Sequence, residues 1–184
     1  MAVTTPPGEL GSPCPDFNLP AVDGKTYKRD DFKGTKAFLV MFICNHCPYV
    51  QAVEDRLIAL GRHYQGNPSV KIVAICSNDA ATYPDDSFPK MKERAEAKNY
   101  PFPYLHDESQ DVARAFGAVC TPDFFLFDGD MKLAYRGRLD DSWKDPSAVQ
   151  SEELKAAIEA LLRGEKPSSD QKPSMGCSIK WRQA

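Results

Sequence analysis

The sequence predicts an α/β sandwich with helices on both faces of a mixed β-sheet. Three observations predict it. Ala37-Phe38-Leu39-Val40-Met41-Phe42-Ile43 is a continuously apolar run, as expected of a strand buried on both faces. Val50, Val53, Leu57, Leu60 and Tyr64 recur at steps of three and four, which is one face of a helix. Val70 to Cys76 is a second apolar strand, and strand-like and helix-like stretches alternate beyond it.

The remaining elements follow in order. Residues 1–13, rich in Pro and Gly, read as a loose arm, and Pro15 to Gly34 reads as a hairpin around the Asp23-Gly24 turn. Gly61 and Gly66-Asn67-Pro68 mark the end of the first helix. A second helix is predicted near Phe88–Lys98, broken by Pro101 and Pro103, with a short strand at Tyr104-Leu105. Ser109 is placed to cap a helix that stops at Gly117. Phe124-Phe125-Leu126-Phe127 and Leu133-Ala134-Tyr135 flank the Asp128-Gly129-Asp130 turn as an antiparallel hairpin. Ser147 and Gln150 have capping-box spacing before a last helix that buries Leu154, Ile158 and Leu161. One domain is expected over residues 1–164. The Pro, Ser and Lys content after it predicts that 165–184 is a flexible tail carrying Cys177.

Composition narrows the function. Hydrophobic residues are 42% and charged residues 27% of the chain, and the net charge is −3. That balance offers no general attraction to nucleic acid or to an anionic membrane. No apolar run is long enough to span a bilayer, and the first residues lack a charged start and an apolar stretch. A reducing cytoplasm is the expected compartment. There, a close cysteine pair among six cysteines is a redox or metal site rather than a structural staple.

Cys44-Asn45-His46-Cys47 is that pair, set where a buried strand gives way to a helix. Unpaired N–H groups and the macrodipole at a helix start favour an anion. A free thiol with a pKa of about 8.5 is only a few per cent thiolate at neutral pH, so a modest lowering activates it. Cys44 is expected to attack a disulfide, and Cys47 to resolve the mixed disulfide that results. His46 has two readings: an imidazole that stabilises the thiolate, or an exposed polar side chain at a helix start. Pro48 suits the first helical turn. The pair also has a metal reading, as half of a zinc site. A closed zinc site needs four ligands, and neither the other cysteines nor His63 and His106 supply a second pair.

Four stretches carry a resemblance to the thioredoxin superfamily, in particular its peroxiredoxin-like branch (alkyl hydroperoxide reductase/thiol-specific antioxidant). Pro15-Asp16-Phe17-Asn18-Leu19 through Asp31-Phe32-Lys33-Gly34 resembles the N-terminal hairpin of that branch. Cys44-Asn45-His46-Cys47-Pro48-Tyr49-Val50 resembles the active-site turn, and Val119-Cys120-Thr121-Pro122-Asp123 the cis-proline loop. Gly176-Cys177-Ser178-Ile179-Lys180-Trp181 is similar to a tail found in one subgroup. The resemblance implies a thioredoxin-like three-layer sandwich, with an N-terminal hairpin extension, and a cis Thr121–Pro122 bond facing the cysteine pair. It also implies that Thr121 offers backbone groups to a bound partner and that Cys120 lies beside the site. Two features depart from the pattern. Ile43 replaces the usual Trp before Cys44, and Lys36–Ile43 holds no carboxylate. Aligning a peroxidatic cysteine on Cys47 puts Val40 and Cys44 where peroxiredoxins have Pro and Thr or Ser.

The expected function is therefore thiol–disulfide oxidoreduction on protein or small-molecule disulfides. A thioredoxin or glutathione system is the expected reductant, and no cofactor beyond the cysteines is implied. The site set is Cys44, His46, Cys47, Cys120, Thr121, Pro122 and Cys177. Cys177 is either a third redox thiol reaching back on its tail or an inert exposed one. Cys120 is either a redox residue or a small buried hydrophobe. Thiol peroxidase with Cys177 as resolver is one alternative. A non-enzymatic metal-binding or interaction module is another. Cys14 and Cys76 read as packing residues, and Asp85-Asp86 and Asp140-Asp141 as solvated turns.

Overall fold

The computed structural model describes residues 2–183. Strand β1 (Ala2–Thr4) precedes a hairpin of β2 (Asn18–Pro20) and β3 (Thr26–Lys28). There follow β4 (Ala37–Phe42), α1 (Pro48–Tyr64), β5 (Val70–Cys76), α2 (Phe88–Lys98) and β6 (Tyr104–His106). The chain continues through α3 (Asp111–Phe116), β7 (Cys120–Thr121), β8 (Asp123–Phe127) and β9 (Leu133–Arg136). It ends in α4 (Glu153–Leu162) and β10 (Met175–Ser178).

Five strands form the central sheet in the order β6-β5-β4-β8-β9. β4, β5 and β6 are parallel, while β8 runs antiparallel to β4 and to β9. Every residue of β4 is buried, because both of its faces are covered. Successive side chains alternate between faces. Leu39, Met41 and Ile43 pack with Val50, Val53 and Leu57 of α1 and Leu154 and Ile158 of α4. Phe38, Val40 and Phe42 pack with Val112 and Phe116 of α3 and with Phe17 and Leu19 of the hairpin segment. This is the expected three-layer thioredoxin-like sandwich. β4 ends at the cysteine motif, and α1 begins on its far side. No helix among the described residues is long and apolar enough to cross a membrane.

The two chain ends differ from expectation. Residues 2–4 are a strand rather than a loose arm, and 175–178 are a strand rather than part of a flexible tail. β10 lies between β1 and β7, antiparallel to both, with Cys177 opposite Ala2 on one side and Thr121 on the other. Ladder pairing with β1 and β7 and a buried anchor, Ile179 at 3% exposure, order this stretch despite the polar linker before it. The last helix also starts later than the Ser147–Gln150 spacing predicts. Ser147 lies in a separate 3₁₀ turn, Pro146–Ala148, capped by Asp145, and α4 begins at Glu153 without a side-chain cap. Ser109 is not the N-cap of α3: Gln110 holds that place with φ 70°, and Ser109 Oγ accepts the Asp111 N–H at 3.2 Å.

Candidate active site

The motif turn places its two cysteines differently from expectation. Cys47, not Cys44, is the N-cap of α1, with Pro48 as the first helical residue. Both are thiols, and both are buried, Cys44 at 1% and Cys47 at 0% exposure. The Thr121–Pro122 bond is cis. It joins β7 to β8 and turns Thr121 onto the sulfurs. Thr121 Oγ1 lies 3.5 Å from Cys44 Sγ, and the Cys47 thiol donates to the Thr121 carbonyl at 3.3 Å.

A buried carboxylate holds the turn from behind. Asp86 is 0% exposed, although the sequence reads Asp85-Asp86 as a solvated turn. Its Oδ1 accepts the Asn45 backbone N–H at 2.8 Å, and its Oδ2 accepts Asn78 Nδ2 at 2.9 Å. His46 Nδ1 lies 2.6 Å from the same Oδ2, off the line of a good hydrogen bond, and its ring stacks on Tyr83. Asn45 completes the clamp. Its side chain donates to the Asp85 carbonyl and accepts from the buried Tyr104 hydroxyl, and its carbonyl accepts from Gln51. No local pattern reveals this, because Asp86 reaches Asn45 across 41 positions of sequence.

Residues 10–136 match the AhpC/TSA family, well over half of the chain. The chain belongs to this family. Among curated relatives, the thiol:disulfide interchange protein DsbE of Pseudomonas fluorescens biotype C is 30% identical, over 86% of this chain and 80% of its own. The thiol-disulfide oxidoreductase ResA of Bacillus cereus is 26% identical, over 68% of this chain and 67% of its own. Two solved structures match almost end to end. An uncharacterized conserved protein from Geobacillus kaustophilus is 48% identical with a TM-score of 0.95, covering 100% of this chain and 98% of that one. The hypothetical protein SMc02350 from Sinorhizobium meliloti 1021 is 39% identical with a TM-score of 0.93, covering 98% and 99%.

In this AhpC/TSA family member the two motif sulfurs are electrostatically unequal. The hydrogen bond that Cys44 gives to Cys47 raises the Cys44 pKa, and burial and the Asp86 charge add to the rise. The same bond holds Cys47 below the usual thiol range, against the opposing effect of its burial. The side chains of Thr121 and Cys177 and the Val50 amide, third in the helix, assist. The Thr121 carbonyl favours the thiol form of Cys47, but the donors around its sulfur outnumber that one acceptor. Cys177 is half-buried, and its own pKa is pushed up to about 11 by burial and by its hydrogen bond to Cys47.

The structure thus brings Cys44, His46, Cys47, Thr121, Pro122 and Cys177 together. Cys120 has no hydrogen bond to either motif sulfur: its own sulfur is buried 3.7 Å from the Pro122 carbonyl, and its pKa is raised by burial, by Asp123 and, less, by Cys47 and Cys177. Asp123 itself pairs with Arg136 at 2.8 Å in the core. Cys14 and Cys76 are buried, and burial pushes each up to about 12. The donor atoms of Cys44, His46 and Asp86 lie within 4.8 Å of one another, a three-ligand set that differs from the Cys44/Cys47 pair the sequence suggests. Both Asp86 oxygens in that set already accept N–H donors.

Proposed function

We propose that this protein is a thiol–disulfide oxidoreductase in which Cys47 is the ionised sulfur and Cys44 the thiol with which it forms a disulfide. The observation that carries the reading is Cys47 at the mouth of α1, ringed by donors from Cys44, Thr121 and Val50. A thiolate held there is a nucleophile and a good leaving group at neutral pH. Cys44 is the complementary partner, kept protonated by burial and by Asp86 until the moment of exchange. Asp86 positions the turn and His46, and Thr121 holds both sulfurs at one edge. The names of the DsbE and ResA relatives support the same chemistry. Disulfides in general are the substrates, and a small thiol or dithiol protein is the reductant.

The test is turnover with insulin as the disulfide and dithiothreitol as the reductant. Cys47→Ser is expected to lose at least about a hundredfold, a loss of transition-state stabilisation near 2.7 kcal/mol, and oxidised wild-type protein to carry a Cys44–Cys47 link by mass mapping. Full turnover in Cys47→Ser overturns the reading.

Membership of the AhpC/TSA family favours a second reading, thiol peroxidase at Cys47. Stopped-flow reaction with hydrogen peroxide separates the two. A rate constant no greater than that of a free thiol excludes peroxidase as the main activity.

A further inference from the structure

Neither motif sulfur reaches solvent: Cys44 and Cys47 are 1% and 0% exposed. An external disulfide meets them directly only when the structure opens. The sheet edge beside them is closed as well. An exposed strand edge takes an extended peptide by adding a strand, and β7 is the edge next to the sulfurs. β10 already occupies it, with Cys177 opposite Thr121 and Ser178 opposite Cys120. The strand is fastened at both ends. Ser174 Oγ donates to the Pro122 carbonyl at 2.7 Å, and the Thr5 N–H donates to the Ser174 carbonyl. Past Cys177, Ile179 is buried, and the Lys180 N–H donates to Asn78 Oδ1.

Gly176 explains how the strand comes so close. A Cβ there would lie 1.8 Å from the Thr121 carbonyl oxygen, an impossible contact. Only glycine lets β10 lie against Thr121, whose carbonyl in turn touches Cys47 Sγ at 3.3 Å. The next residue is a half-buried cysteine packed on the core that holds Cys44 and Cys47. Beside it, a cavity of about 270 Å³ is lined by Tyr49, Pro122, Trp143 and Met175.

We propose that Cys177 is the sulfur through which the buried Cys44/Cys47 pair exchanges disulfides with the outside, by way of a Cys47–Cys177 disulfide. The inference rests on the oxidoreductase reading above and adds the route. Cys177 attacks an external disulfide RS–SR, its proton passing to the Cys47 thiolate and on to the departing RS⁻. A Cys177–SR bond forms as the S–S bond of RS–SR breaks. Cys47 then attacks Cys177 Sγ, forming Cys47–Cys177 and releasing the second RS⁻. Cys44 next attacks Cys47 Sγ, forming Cys44–Cys47. Its proton goes to the second RS⁻, and Cys177, leaving as a thiolate, takes one proton from water, so that the negative charge first held on Cys47 passes to solvent. Two protein thiols have been oxidised to one disulfide, and one external disulfide has been reduced to two thiols. Run backwards, the same steps oxidise an external dithiol. The low pKa of Cys47 makes it the better leaving sulfur of the Cys47–Cys177 bond, so an incoming thiolate attacks the reachable Cys177.

The test uses the full chain with glutathione disulfide as the oxidant. In Cys44→Ser, a Cys47–Cys177 peptide is expected by mass mapping after brief oxidation and acid quench. Cys177→Ser is expected to react at least tenfold more slowly, yet to reach the wild-type Cys44–Cys47 equilibrium with glutathione within about threefold after long incubation. A Cys177→Ser rate equal to wild type, or no Cys47–Cys177 link in Cys44→Ser, overturns the relay and leaves the oxidoreductase reading standing. If instead wild type and Cys177→Ser both fail to form a Cys44–Cys47 disulfide at equilibrium, that reading falls and the relay falls with it.

Discussion

At the scale of single residues, the site works by making chemically identical thiols unequal. Cys14 and Cys76 are pushed up to about 12 and Cys177 to about 11, and Cys44 is raised as well. Below about pH 8 only Cys47 is then expected to ionise, so thiolate absorbance near 240 nm reads one group. Its depressed pKa means that the thiolate persists as pH falls below the free-thiol value and is lost only when pH passes the depressed one. Cys44→Ala removes the largest stabilising hydrogen bond, so the Cys47 titration, followed by that absorbance, is expected to move to higher pH. An unmoved titration curve contradicts the assignment. Asp86→Asn tests the opposite side: with the facing charge gone, the Cys44 titration is expected to fall. The cysteine motif was legible in the sequence because its chemistry lies in four consecutive residues. Asp86 was not, since its burial and its partners Asn45, His46 and Asn78 exist only once the 3₁₀ turn at Pro84–Asp86 folds under the motif.

At the scale of elements, burial decides what the sequence could show. β4 and β5 carry long apolar runs because helices cover both sides of the sheet, and α1 has a regular stripe because it covers one. The short strands at the chain ends carry no such pattern. β1 and β10 are held by ladder bonds to each other and to β7, which any sequence with the right backbone can make. Only Gly176 marks the place, and its reason lies in the Thr121 carbonyl rather than in a turn. Gly176→Ala is accordingly expected to lift β10 from β7 while leaving the five-stranded sheet intact. Hydrogen exchange should lose protection at residues 176–179 but not in β4. Unchanged protection there contradicts the steric argument. Helix packing gives a separate expectation. Glu54 of α1, 3% exposed, takes a bidentate pair of hydrogen bonds from Arg94 of α2 and one from Tyr100. Arg94→Ala removes the bidentate pair but leaves Glu54 its Tyr100 hydrogen bond and the Lys98 ammonium at 3.5 Å, and is expected to cost about 1.5 kcal/mol in urea unfolding.

At the scale of the whole molecule, the boundary suggested by composition at residue 164 does not separate a domain from an appendage. The last segment closes a sheet, covers the site and supplies core. Ile179 is buried with Phe17, Phe38 and Phe116, and Trp181 packs on the same cluster under the Arg114 guanidinium, 4.7 Å from its ring centre. Gln110, 1% exposed, gives its amide N–H to the carbonyls of Ser77 and Lys180 and takes the Arg182 N–H on its oxygen. Ending the chain after Gly164 uncovers the Ile179 pocket, worth about 2 kcal/mol in transfer terms. It also removes the hydrogen bonds that Gln110 and Asn78 make to the tail, at about 1 kcal/mol each. Against a typical total of about 5–15 kcal/mol, that loss is severe. The shortened chain is expected to show a much lower urea midpoint and a Cys47 newly open to alkylation, because the strand that covers it is gone. A polar, proline-rich stretch such as 165–174 reads as free because its own residues bury little, yet it ends on residues whose burial fixes it. Equal midpoints for the full and shortened chains would mean that β10 rests on the fold without contributing to it, and the route through Cys177 would then lose its rigid support.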